Sequence, residues 1–463
     1  MSRNVVLLVL DSVRKDVFDE YASRIQSKSS ISAAQCRAAS SWSVPSHASI
    51  LTGKLPHEHG VHTFNRDMES LLSQETICDR LDAYHTLGVS ANVYAGPAYG
   101  FDSIFDEFVE VPRYQKFPEA LNATTFYNES NAEGLQLYQE FLSASLDNGH
   151  SLKSLANGVL AQVKQSTMGT RFPDPIDDGA KLIAKELKRR VKKSKEPVFA
   201  FANFMEAHEP FGHILGLDRS LHTAPRGWTS AGVDRWELIT QPEEYEQYIQ
   251  WMKELYAAHV DYLDRIIASL AEELGENTTI IVTADHGENF GAESGDDGLF
   301  VHTSSLSEGL LHVPLEILNP PESVNRNISD YVSHLQFPEI VTSIANETIP
   351  ELTWSEVPAE VMGMAAGTDP PSNEEYWNRT IRCAYRESEK MEWDTEENTV
   401  CYRITEGNPN QQEEHSNDIQ VPDWALNQFE VPIQDARQRA LERSSEIVVD
   451  DSTSARLEDL GYL

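Results

Sequence analysis

Positive charge is scarce in this 463-residue chain: 37 Lys and Arg stand against 74 Asp and Glu, a formal net charge of −37. A field of that sign repels nucleic acid and anionic membrane surfaces, so neither is expected as a partner. Cysteine is sparse too. Cys36, Cys78, Cys383 and Cys401 form no CxxC pair, which argues against a disulfide framework or a structural zinc cluster. Long hydrophobic runs are missing as well. The apolar stretch that follows Met1-Ser2-Arg3-Asn4 ends at Asp11, far short of the roughly 20 residues a membrane span needs. No small-residue cleavage site follows it, so the chain is expected to stay in the cytoplasm without membrane insertion.

The acids are spread along the chain, whereas much of the lysine clusters in Lys181–Lys195. With 40% hydrophobic residues the chain is no disordered polyanion. The pattern predicts a folded protein whose surface is adapted to high salt, as in a salt-accumulating cytoplasm of haloarchaeal type. The melting temperature is accordingly expected to rise as potassium chloride goes from low to molar concentration. A flat curve would assign the acidity another cause.

The length suits one large α/β domain with a smaller one appended. Three apolar, β-branched runs read as buried strands: Val5–Leu10, Val198–Met205 and Thr278–Ala284, with a weaker one at Gly88–Val93. Amphipathic helices separate them, the clearest over Glu243–Leu274, with Tyr245, Ile249, Met252, Leu255, Tyr256, Leu263, Ile266 and Leu270 near helical spacing. Strand alternating with helix predicts a mostly parallel sheet covered by helices on both faces. Past Pro320-Pro321 the segments shorten, and Ile381–Tyr385 and Thr399–Ile404 read as strands of a small antiparallel sheet separated by an acidic turn region. The expected division is a catalytic domain over 1–330 and a subdomain over 331–463, closing with a helix-like stretch in Ala436–Leu463.

Each strong strand ends in polar residues: Asp11 after the first, Glu206 and His208 after the second, Asp285 and His286 after the third. In open α/β sheets the ligand crevice lies at the carboxyl ends of the strands, so these side chains are aimed at one edge, a pattern that suggests a metal site. The segment Ser43-Val44-Pro45-Ser46-His47 reads as a loop entering a helix. A hydroxyl there sits among free backbone N–H groups able to hold a tetrahedral oxyanion, although a serine in that place also serves as an ordinary N-cap.

Six segments in order resemble the sulfatase family of the alkaline phosphatase superfamily: Ser43–His47 with the trailing Leu51-Thr52-Gly53, Leu87–Asn92, Tyr99–Asp102, His208–Phe211, Thr283–Glu288, and His302 followed by Val313-Pro314-Leu315. The resemblance implies an alkaline-phosphatase-like fold with a small C-terminal antiparallel sheet. It implies that Asp11, Asp285 and His286, together with Ser43, hold one divalent cation; oxygen and imidazole ligands suit Mn²⁺, Mg²⁺, Ca²⁺ or Zn²⁺ alike. Ser43 would be the nucleophile, as serine or matured to formylglycine, with His208, His302 and His47 gripping the anion or protonating the leaving oxygen. The implied substrate is a sulfate ester on a small molecule or glycan, with loops in Val111–Asp174 and Phe211–Gln241 setting specificity. Two positions depart from the family pattern. Ser12 stands where a second Asp is common, which counts against an all-carboxylate calcium cage. His47 stands where Arg accompanies a formylglycine, which favours an unmodified Ser43 and admits phosphate monoesters, diesters or phosphonate esters, hydrolysed or transferred. A catalytically silent binding protein is the remaining alternative. Arg14, just past Asp11, reads either as a contact to the substrate anion or as a surface ion pair.

Overall fold

Nothing polar interrupts Val5–Leu10, and in the structure, a computed structural model, this run forms the middle of the larger sheet. The structure describes the chain apart from residues 1–2, 113–114, 118, 124–125, 128–129, 131, 133, 168–169, 171, 366, 406–407, 446, 448 and 460–463. The principal strands are β1 (Asn4–Leu10), β2 (Ser29–Arg37), β3 (His85–Ser90), β4 (Glu107–Glu110), β5 (Val198–Phe204), β6 (Thr278–Thr283), β7 (Leu315–Leu318) and β8 (Arg326–Ser333). They lie in the order β8-β2-β7-β6-β1-β5-β3-β4. Of these strands only β7 runs against its neighbours, and the short strand His312–Val313 also pairs antiparallel with β2; the sheet is mostly parallel, as the alternation of strand and helix predicts.

Register decides where the strands deliver their ends. Leu10 lies beside Phe204 and Val9 beside Thr283, while Ser90 lies beside Asn203. The chain therefore leaves β1, β3, β5 and β6 at one edge. The helix Glu246–Leu274 buries Met252, Leu255, Tyr256, Leu263 and Leu270, much as its spacing predicts. The weaker strand signal is displaced: β3 occupies His85–Ser90, three residues before the expected Gly88–Val93. Beyond Ser90 the chain turns, with the Asn92 N–H donating to Ser90 Oγ, and Asn92 becomes a loop residue at the sheet edge. Among the described residues no helix is long and apolar enough to cross a membrane. Helices at Gly134–Asp147 and Ser151–Thr167 occupy much of the segment expected to be a specificity loop.

A second sheet is an antiparallel meander of β9 (Glu356–Met362), β10 (Thr380–Arg386), β11 (Glu389–Asp394), β12 (Thr399–Thr405) and β13 (Asn408–Asn417). The acidic region expected to be a turn is thus itself a strand, β11. Its Met391 and Trp393 are buried, and the acids flanking them concealed the alternation. Position 330, the expected boundary between the two domains, falls within β8. Residues 460–463 of the expected tail lie outside the described residues; before them a helix covers Asp451–Asp459.

A buried charge cluster fastens the two sheets. Glu308 receives Arg37 Nη2 of β2 at 2.9 Å, Lys390 Nζ of β11 at 3.1 Å and the Tyr385 hydroxyl of β10 at 2.6 Å. Arg37, Glu308 and Lys390 are all fully buried. Removing the shared carboxylate strands two cations away from water, so Glu308→Ala is expected to cost about 3–5 kcal/mol. Urea unfolding at fixed salt reads this as a lower midpoint.

Candidate active site

Adjacent parallel strands β1 and β6 put Asp11 and the pair Asp285-His286 at the same edge. One ligand atom from each of the three lies within 4.8 Å of the others, and all three side chains are buried. The His286 ring is oriented by its Nδ1–H, which donates to the Gly287 carbonyl at 2.7 Å. Nε2 therefore faces the carboxylates, 3.5 Å from Asp285 Oδ2 and 3.9 Å from Asp11 Oδ1. Burial opposes a charge on this ring, but Asp285 and Asp11 outweigh it and raise the His286 pKa. The spot favours positive charge. Asp285 Oδ2 is buried and accepts no hydrogen bond among the described residues, a costly state for a carboxylate unless a cation neutralises it. Two carboxylates and an imidazole with an orphaned oxygen fit a divalent cation.

Ser43 is the first residue of the helix Ser43–Thr52, and Trp42 holds the N-cap position without a side-chain cap. The Ser43 hydroxyl is thus not spent on capping. Its Oγ lies 3.3 Å from Asp11 Oδ2, 3.3 Å from His286 Nε2 and 3.2 Å from Asn92 Nδ2. Pro45 falls in the first turn, where a missing N–H costs nothing, and the Ser43 and Val44 N–H groups have no acceptor within the helix. At the other end Gly53 takes φ +72°, and a Cβ there would meet the Leu335 carbonyl oxygen at 2.8 Å. Glycine is required both by the helix exit and by this close approach.

The other histidines sort by what they touch. His47 Nδ1 donates to the Ser43 carbonyl at 2.6 Å, and Nε2 lies 3.1 Å from Asn203 Nδ2. The ring supports the backbone at Ser43; no hydrogen bond joins it to Ser43 Oγ. His208 and His302 continue from the metal-ligand cluster, with ring centroids 5.1 Å apart for His286 and His302 and 5.4 Å for His302 and His208. Burial pulls the His208 pKa down to about 4 and that of His302 well below its ordinary value. His302 Nδ1 is 3.7 Å from Glu288 Oε1, whose carboxyl burial pushes up to about 8.

Two expectations are corrected. Arg14 is neither a substrate contact nor a surface pair: it is buried, with its guanidinium held by Asp296 at 2.7 Å, Asp16 at 2.8 Å and the Glu288 carbonyl at 2.8 Å. It ties the end of β1 to the segment after His286. Glu206 turns away from the metal-ligand cluster and accepts the Ala180 N–H at 2.6 Å, beside Asp177 and Asp178.

A family model described as sulfatase matches residues 3–346. The chain belongs to the sulfatase family. Over 172 residues it is 27% identical to the uncharacterized sulfatase YidJ of Escherichia coli (strain K12), a match covering 32% of this chain and 34% of that one. The stretch shared with that curated relative is thus about a third of the relative's length. Among solved structures, the phosphonate monoester hydrolase of Agrobacterium radiobacter superposes with a TM-score of 0.59 at 13% identity, covering 87% of this chain and 89% of that one. A putative sulfatase from Bacteroides thetaiotaomicron gives 0.56 at 14%, covering 98% and 96%. The protein BT4656, solved with its substrate D-glucosamine-2-N,6-O-disulfate, gives 0.55 at 13%, covering 87% and 91%. At these identities the likeness establishes the alkaline-phosphatase-like fold of this sulfatase-family chain.

Two further side chains at the site were given no role from the sequence. Asn92 Nδ2 donates to Asp11 Oδ2 at 2.6 Å as well as approaching Ser43. Asn203 Nδ2 lies 3.4 Å from the same oxygen. The one available clue to Asn203 was its place as the lone amide in the otherwise apolar strand Val198–Phe204, since a polar group buried in a sheet needs a partner.

Proposed function

We propose that this chain is a metal-dependent hydrolase of anionic esters, sulfate esters foremost, with Ser43 as nucleophile and Asp11, Asp285 and His286 as ligands of one divalent cation. The convergence of Ser43 Oγ on Asp11 and His286, 3.3 Å from each, carries the reading. When bound, such a cation supplies Lewis acidity to the ester oxygen and lowers the pKa of a hydroxyl beside it. Ser43 Oγ gives up its proton and forms a bond to sulfur as the bond to the leaving alcohol oxygen breaks and that oxygen takes up a proton; water then cleaves the serine ester, its oxygen leaving with the inorganic anion and one of its protons returning to Ser43 Oγ. Asn92 fixes both Asp11 and the nucleophile, and the helix N-terminus faces the developing negative charge. His208 and His302, kept neutral by burial, gain proton affinity when an anionic ester arrives beside them and can then pass a proton to the leaving oxygen.

Phosphorus esters are the second reading, favoured by a serine with His47, not Arg, behind it. A silent binding role is opposed by the presence of every expected ligand and of the nucleophile. A panel of aryl sulfate, aryl phosphate mono- and diesters and an aryl phosphonate ester, in high salt with several divalent metals, separates the three. Fastest turnover is expected with the aryl sulfate. Preference for a phosphorus ester would replace the first reading by the second, and metal binding without any turnover would leave the binding role.

A further inference from the structure

Outside the site around Ser43, the segment after Phe211 encloses a cavity of about 160 Å³, lined by Pro173, His213, Ile214–Leu217, Arg219, His222 and Arg226. A single water needs roughly 10–15 Å³ on this measure, so a tetrahedral oxyanion fits with room to spare. In a chain with twice as many acids as bases, this lining holds two arginines, two histidines and no carboxylate. His222 is 8% exposed, and among the described residues neither of its ring nitrogens has a hydrogen-bond partner. Two buried ring nitrogens without partners are unusual, because unmet polar atoms cost free energy. The His213 ring stands edge-on to it, with centroids 4.9 Å apart, and is held by the Pro225 carbonyl at 2.8 Å. The two carboxylates whose charge acts on His222 also accept hydrogen bonds from other groups: Asp218 from Ser220, and Glu254 from Thr223 and Gln250.

We infer that this cavity is a second anion site, taking a sulfate or phosphate group between His222, His213, Arg219 and Arg226. Arginine and imidazole N–H groups converging from several sides are the donors that tetrahedral oxyanions recruit. Burial lowers the His222 pKa first, and His213 and Arg219 lower it further while Glu254 and Asp218 oppose them; a negative ligand relieves the repulsion among the basic groups. Such a group comes from either of two sources. It is a free inorganic anion, or a second anionic substituent on the ester whose reacting end occupies the Ser43 site. The first source stands without the proposed reaction, and the second rests on it.

The test is NMR of the full chain with labelled histidines, titrated with sodium sulfate and with sodium phosphate at constant ionic strength in potassium chloride. The His213 and His222 signals, identified by their loss in His213→Gln and His222→Gln, are expected to move saturably and together. Arg226 is exposed, so Arg226→Ala preserves the fold and is expected to weaken the response at least about tenfold. Failure of both signals to respond to either anion beyond the chloride control would overturn the site, as would an unchanged response in Arg226→Ala. Ser43→Ala protein with a disulfated ester then separates the sources. Joint movement of His302 with His213 and His222 identifies a substrate substituent; movement of the latter pair with inorganic anion alone identifies the free ion.

Discussion

Ser43→Ala is expected to lower kcat by at least about a thousandfold, equivalent to roughly 4 kcal/mol of lost transition-state stabilisation. The size follows from the proposed chemistry, in which the hydroxyl oxygen bonds to sulfur, and a methyl group has nothing to offer in its place. The loss should come without unfolding, because Ser43 Oγ caps no helix and Asp11 keeps Asn92 and Asn203. Steady-state kinetics with aryl sulfate, alongside a melting curve, read both quantities. Activity close to that of the parent would remove Ser43 from the mechanism in either form. Mass spectrometry of the peptide containing Val44-Pro45-Ser46-His47 from the native host adds the companion result. Oxidation to formylglycine removes two hydrogens, and the serine form expected from His47 retains them.

Asp285→Asn should abolish activity to a similar degree, through loss of metal, and the two effects are separable. In the parent, added divalent cation is expected to raise the melting temperature, since a ligand that binds only the folded state stabilises it; at a hundred times Kd the gain is about 2.7 kcal/mol. The variant should show almost none of that gain. Its metal-free form should melt no lower than the metal-free parent, because an amide in place of Asp285 relieves a buried carboxylate oxygen that accepts no hydrogen bond. Metal analysis after dialysis should find the parent loaded and both Asp285→Asn and Asp11→Asn depleted. A variant that keeps its metal and its turnover would strike that residue from the ligand set.

Asp11, Ser43, Asp285 and His286 were legible in the sequence for a definite reason. Each follows an uninterrupted apolar run or opens a helix with proline in its first turn, so local pattern alone puts it at a sheet edge or a helix start. The roles of Asn92 and Asn203 were not: Asn92 closes the Leu87–Asn92 segment, but the hydrogen bonds an amide donates leave no trace in spacing. Arg14 was misread for a related reason: the partner that buries it, Asp296, lies far along the chain, and no local pattern announces a pairing over that distance. Strand β11 was hidden in the same way, its Lys390 made tolerable inside the protein by Glu308, the Leu306 carbonyl and Gln412, all distant in sequence.

The place of β1 in the sheet bears on how the molecule is made. Its two partners, β5 and β6, begin at Val198 and Thr278, so this apolar segment must wait for most of the larger sheet to be synthesised. At roughly 5–20 residues per second the wait for β6 is on the order of ten to fifty seconds. Throughout that time a seven-residue strand, destined to be buried on both faces and paired along both edges, is a sticky nascent segment. Production of soluble protein should therefore respond more to translation speed and to early chaperone capture than to anything done to the finished fold.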